Sequence, residues 1–193
     1  MSVFLLKGQK LSLNKDNPDL KKFSVTIEWK LDKEPTENIL FDLDISAFLL
    51  TASGKVEDPK DFVFYGNLKH PSGSVILNDN IKRIGDSQSI TVKLDLSLVP
   101  SSIMRISFTA TIYEAEVRRQ SFSKISEAAI SIKDDFSNKE ILRYQLAERY
   151  NVETAVVFGE IYRNNKEWKF NTIGGGFTGG LAALCRNYGV EVD

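Results

Sequence analysis

The sequence predicts a mainly β protein: a single-domain β-sandwich, spanning residues 1–193, with one short C-terminal helix. Three observations carry that expectation. Apolar and polar residues alternate in segment after segment, clusters of turn-forming residues separate those segments, and only one late stretch has a clear helical composition. Period-two alternation is what a strand with one buried face produces, because successive side chains point to opposite sides of a sheet. Many short strands with few helical patterns then read as two packed sheets.

The elements follow in order. The opening MSVFLLKGQKLSL alternates through Phe4 and Leu6, then through Leu11 and Leu13, and predicts a first strand. Phe23, Val25, Ile27 and Trp29 are apolar around Ser24, Thr26 and Glu28. The pattern returns at Ile90, Val92, Leu94 and Leu96, and again at Ile106, Phe108, Ala110 and Ile112. Shorter candidates are DFVFYGNL (61–68), AAISIK (128–133), AVVFGEIYR (155–163) and EWKFNTI (167–173). ASGK at 52–55 and HPSGS at 70–74 carry turn chemistry, and RNNKE at 163–167 joins two alternating runs as a hairpin. GLAALCRNYG (180–189) is rich in helix formers and closes on Gly189, so it predicts the helix. KEILRYQLAERY (139–150) has a helical composition but fits neither period.

A chain of 193 residues hides roughly 70% of its unfolded surface on folding and needs no covalent staples. Its single cysteine, Cys185, excludes an internal disulfide framework and a cysteine-based zinc site, which points to a reducing, cytoplasmic setting. The formal charge of −1 offers no global attraction for nucleic acid. No apolar run approaches a transmembrane span, and the start lacks the basic opening and long apolar core of a secretory signal.

The segment FDLDISAF (41–48) sets two aspartates inside an apolar run. On a strand, Phe41, Leu43, Ile45 and Ala47 share one face, while Asp42, Asp44 and Ser46 share the other. Carboxylates about 7 Å apart repel by about 2.4 kcal/mol at an effective dielectric of 20, so a partly covered face calls for a lysine, an arginine or a hard cation. Calcium takes six to eight oxygens, and NDNIKRIGDSQS (78–89) offers Asp79, Asn80 and Asp86 on a turn-forming loop. Two solvated charges on an exposed strand are the commoner explanation of such a pair. Lys82 or Arg83, inside the same loop, offers a third answer by replacing the ion.

Other motifs carry less. GGGFTG (174–179) matches a dinucleotide fingerprint, but only 14 residues follow it, too few for the second strand and its acidic residue. It reads instead as a glycine-rich turn that lets the last helix fold back. SFSK (121–124) lacks the partner motifs of an S-x-x-K enzyme. His70 sits before a turn proline with no nucleophile elbow in the chain, and reads as structural. No catalytic residue is assigned, and a non-enzymatic protein is expected.

The ordered blocks LLKGQKLSL, FDLDISAFLL, FVFYGNLKHPSGSV, VVFGEIYRNNKEWKF and IGGGFTGGLAAL together resemble the TerD family of tellurium-resistance and general-stress proteins over nearly the whole chain. The resemblance implies a β-sandwich, a cytoplasmic stress-response role without established catalysis, and calcium binding. It also implies protein partners in a larger resistance assembly near the membrane. It assigns Asp42 and Asp44 to the family's acidic site, closed by Asp79, Asn80 and Asp86. The family's G-D-N and later G-D-D-E are here Asn78-Asp79-Asn80 and Gly85-Asp86-Ser87-Gln88, around Lys82 and Arg83. Tyr113 and Glu114 also depart from the family's pattern. Lost carboxylates and gained cations weaken calcium, so the expectation is a single weak site or none.

Overall fold

A computed structural model describes residues 2–15, 17–32, 41–165 and 167–192. Twelve strands build two six-stranded sheets. In chain order they are β1 (Val3–Leu5), β2 (Lys10–Ser12), β3 (Lys22–Leu31), β4 (Leu43–Leu50), β5 (Phe62–Val63) and β6 (Val75–Ile84). They continue with β7 (Ser87–Asp95), β8 (Arg105–Ile112), β9 (Ile125–Asp134), β10 (Glu140–Gln145), β11 (Ala155–Asn164) and β12 (Glu167–Phe177). The first sheet runs β1-β10-β9-β3-β7-β6 and the second β2-β12-β11-β8-β4-β5. Pairing is antiparallel except between β1 and β10.

The alternating residues fill the space between the sheets. Phe23, Val25, Ile27 and Trp29 of β3 meet Ile106, Phe108, Ala110 and Ile112 of β8 in one buried cluster, with Leu43, Ile45, Ala47 and Leu49 of β4. Each large side chain buried there stabilises the fold by about 1.5–3 kcal/mol. In β11 the register slips between Val157 and Gly159. A Cβ at Gly159 would stand 2.7 Å from the Asn171 carbonyl oxygen and 2.6 Å from the Phe170 ring, so this bulge accepts only glycine without repacking.

A second apolar cluster lies on the outer face of the second sheet. Helix α1 (Gly180–Tyr188) lays Leu184 and Cys185 against Phe48, Leu50, Ala155 and Val157. Gly179 and Gly189 bound the helix in the left-handed region. Tyr188 Oη meets Ser107 Oγ at 2.8 Å, and Thr154 Oγ1 accepts the Gly180 N–H at 2.9 Å. The end of β4 is therefore buried on both faces, which is why ISAFLL reads as an almost unbroken apolar run.

Three expectations change, and one open segment is resolved. Residues 78–89 are not a loop but the facing arms of the β6–β7 hairpin, turning at Gly85 and Asp86. The 139–150 segment is a strand up to Gln145, because pairing with β9 and β1 outweighs its helical composition. The first strand faces the other way: Leu5 is buried while Phe4 is 75% exposed. Gly174–Gly176 lie within β12 rather than in a turn, and the fold-back falls at Gly179 and Gly180. Asn165, in the left-handed region, turns the β11–β12 hairpin, although Lys166 within it lies outside the described residues.

Candidate metal centre

Alternation sets the acidic face. Phe41, Leu43 and Ile45 enter the core, so Asp42 and Asp44 must point outward, and both are half-buried. Upstream of Ala47 no strand among the described residues pairs with the outer edge of β4, because β5 pairs only with Ala47 and Phe48. The Asp42 carbonyl is held by the Tyr113 N–H at 3.0 Å, just beyond the end of β8.

Asp79 arrives from the other sheet. Asn78 lies opposite Thr91 and Lys82 opposite Ser89, so Asp79, Asn80 and Ile81 face Ile90 alone. This bulge bends the edge strand and redirects its side chains. Asn78 Oδ1 accepts both the backbone N–H of Asn80 at 3.3 Å and its side-chain amide at 3.2 Å, which leaves the Asn80 side-chain oxygen available. Ile81 packs against the core.

The three carboxyls feel one another. Burial, then the charges of Asp42 and Asp79, push the Asp44 carboxyl up to about 6. Asp79 is raised by partial burial of its carboxyl and by Asp42, although the residue as a whole is exposed. Among the described residues no lysine or arginine forms an ion pair with Asp42, Asp44 or Asp79. The alternative in which Lys82 or Arg83 neutralises the pair is thus not what the structure forms: both are exposed on the hairpin arm.

Asp86 stands apart. It occupies the hairpin tip, roughly 12–16 Å beyond Asp79 along β6, and is not among the charges that raise Asp44. Asp42, Asp44 and Asp79 with the Asn80 oxygen offer hard oxygen donors, which suit calcium and do not suit softer metals. Among the described residues no three acidic, histidine or cysteine side chains are close enough to hold a metal as they stand. The donors fit calcium in kind, and an ion would have to draw them together across this edge. Glu114, strained at φ 51°, pairs with Arg118 at 3.1 Å.

Two other clusters resolve into bracing. His70 Nε2 lies 2.9 Å from Asp61 Oδ1, and its Nδ1 lies 2.8 Å from Ser72 Oγ, the order of a serine–histidine–aspartate relay. The Ser72 N–H also reaches Nδ1 at 3.2 Å, and Ser72 Oγ donates to Ser74 Oγ at 2.8 Å, so the hydroxyl is spent within the turn. The N–H groups of Gly73 and Ser74 already serve His70 O and Ser72 Oγ, leaving neither to stabilise an oxyanion. The relay ties the β5–β6 connection together. Around Gly174, Lys7 pairs with Glu148 at 2.8 Å and Tyr150 Oη donates to the Gly174 carbonyl at 3.0 Å. Side chains at Gly174 and Gly176 would collide with Tyr144 and Glu153. The glycine run is needed for packing.

Comparison with known proteins agrees with this fold and chain length. A family profile described as the TerD domain matches residues 1–188. General stress protein 16U of Bacillus subtilis (strain 168) is 45% identical over 193 residues, all of both chains. Tellurium resistance protein TerD of Serratia marcescens is 45% identical over 194 residues, again all of both chains. Chemical-damaging agent resistance protein B of Clostridium acetobutylicum is 50% identical over 138 residues, covering 71% of this chain and 99% of its own. A solved homologue of telluride resistance protein (TerD) from Streptomyces coelicolor A3(2) shares the fold, with a TM-score of 0.67 at 20% identity over 86% of this chain and 95% of that one. The chain belongs to the TerD family.

Proposed function

We propose that this protein is a non-enzymatic stress-resistance module of the tellurite-resistance type, whose Asp42–Asp44–Asp79 site binds calcium. The relatives' names, which speak of general stress, tellurium and chemical damage, support the resistance role. One observation carries the metal reading: three carboxyls share a partly buried border, where burial and two neighbouring carboxylates raise Asp44, and among the described residues no lysine or arginine forms an ion pair with it. A divalent ion relieves that repulsion. Asp42 and Asp44 supply oxygens from β4, Asp79 and the Asn80 side-chain oxygen supply them from the β6 bulge, and water completes the shell.

When bound, the ion neutralises the cluster. The work of the chain is to present these oxygens at the junction of its two sheets, so that occupancy orders the β6 bulge against β4. The ordered edge then serves as the face offered to protein partners, in a cytoplasmic resistance assembly near the membrane. Calorimetric titration of chelator-treated protein tests the reading. Calcium binding is expected for the native chain and for Asp86→Asn, and is lost in Asp42→Asn/Asp44→Asn. Equal affinity in that double variant would sink the assignment.

A further inference from the structure

Between the acidic site and the seat of α1, two hydroxyls face each other on the outer side of the second sheet. Ser46 of β4 and Thr109 of β8 are register partners, 1% and 0% exposed. Neither Ser46 Oγ nor Thr109 Oγ1 has a hydrogen-bond partner among the described residues. One step toward the strand start lie Asp44 and its partner Thr111. One step the other way lies Phe48, and across from Thr109 lies Val157, both in the cluster that holds Leu184 and Cys185.

The first sheet supplies a control. Thr26 and Thr91 are also cross-strand partners, and their hydroxyls meet directly at 3.0 Å. Ser46 and Thr109 have the same relation and do not bond. Hydroxyls withdrawn from water almost always find a partner, either in the protein or in an ordered water. A single water satisfies both, donating to one oxygen and accepting from the other, and two polar partners are the minimum an internal water needs.

We propose that Ser46 and Thr109 form an internal water-binding site beside the seat of α1. The site is independent of the calcium reading. It carries the polar face of β4 inward from Asp44 to the margin of the helix cluster, where a bare apolar contact would otherwise strand both hydroxyls.

The test uses the full chain, isotope-labelled, with water-selective NMR and urea unfolding. Long-lived water cross-peaks to the amide protons of Ser46 and Thr109 are expected in the native protein, with and without calcium, and also in Asp44→Asn. They are expected to vanish in Ser46→Ala/Thr109→Val. Each single substitution should lower the urea midpoint, and the double variant should fall no further than the worse single one, because either loss releases the same water. Native protein without those cross-peaks overturns the proposal, even if the substitutions are non-additive, since that result means a direct hydroxyl–hydroxyl bond. Midpoints that rise additively overturn it too, because they mean dry, unpaired hydroxyls.

Discussion

Asp79 of β6 raises the carboxyl of Asp44 of β4, although the two strands belong to different sheets. The coupling exists because, among the described residues, the strand ladders are interrupted at this border: β5 stops short of Asp44, and the β6 bulge breaks the ladder at Asp79. An ion held here bridges the sheets where backbone pairing does not.

Calcium should therefore raise the unfolding temperature of chelated protein. At 100 times the dissociation constant the gain is about 2.7 kcal/mol, or about 5–11 °C for a domain of this size. Asp44→Asn should abolish the shift and Asp86→Asn should keep it, with magnesium as the control titration. A shift lost equally in both variants would return Asp86 to the site.

Without metal, the site makes stability depend on pH. Folded Asp44 holds its proton to about 6 against an ordinary aspartate value of 3.8, so the native state binds more protons than the unfolded chain between these values. Stability is then fully present below about 4 and lost as pH rises through 6. The full shift corresponds to roughly 3 kcal/mol, reduced to about 1–2 because the carboxyl is partly open to water. Thermal melts of chelated protein at pH 5 and 7.5 should show the loss, and Asp44→Asn should flatten it. An unchanged slope in that variant assigns the effect elsewhere.

His70→Ala should destabilise without touching the metal response. It strands Asp61 Oδ1 and the Ser72 N–H, at a cost of about 1–3 kcal/mol. Urea midpoints and a calcium titration on the same sample separate the two effects. Loss of the calcium response would mean that the brace also sets the position of β6.

Gly159→Ala should be among the harsher small substitutions. The new methyl meets a backbone carbonyl and the Phe170 ring inside the β11 bulge, and overpacking of this kind costs about 1–3 kcal/mol. Gly54→Ala is the comparison, since open space surrounds that position and only its left-handed φ of 76° resists. Midpoints that fall no further in Gly159→Ala would show that the bulge relaxes.

Much of this was legible in the residues. Phe23 to Trp29 and Ile106 to Ile112 face inward as their alternation requires, and Asp42 and Asp44 face outward for the same reason. Helix α1 ends at the glycine its composition indicates. Runs apolar on both phases were ambiguous: VFLL does not say whether Phe4 or Leu5 goes in, and the pairing of β1 with β10 decides it. In 139–150 the buried residues are Leu142 and Tyr144, a phase that the sequence, fitting neither period, leaves open. The candidate site was half readable. D-x-D announces itself, but no local signature marks the bulge that carries Asp79 toward it. Asp79 and Asp86 are near in sequence, yet an extended strand carries them apart.

The bulge at Asp79–Ile81 has one more consequence. β6 is the outermost strand of its sheet; residues 68–70 pair with its start at Val75–Leu77, and an uninterrupted edge over the rest would be a template on which other chains can add strands. Three residues set against one break the regular spacing of its hydrogen-bonding groups, and Lys82 and Arg83 follow immediately with like charges. The irregularity that delivers a carboxylate to its neighbours also leaves the edge unfit for aggregation, so straightening it should cost solubility as well as affinity.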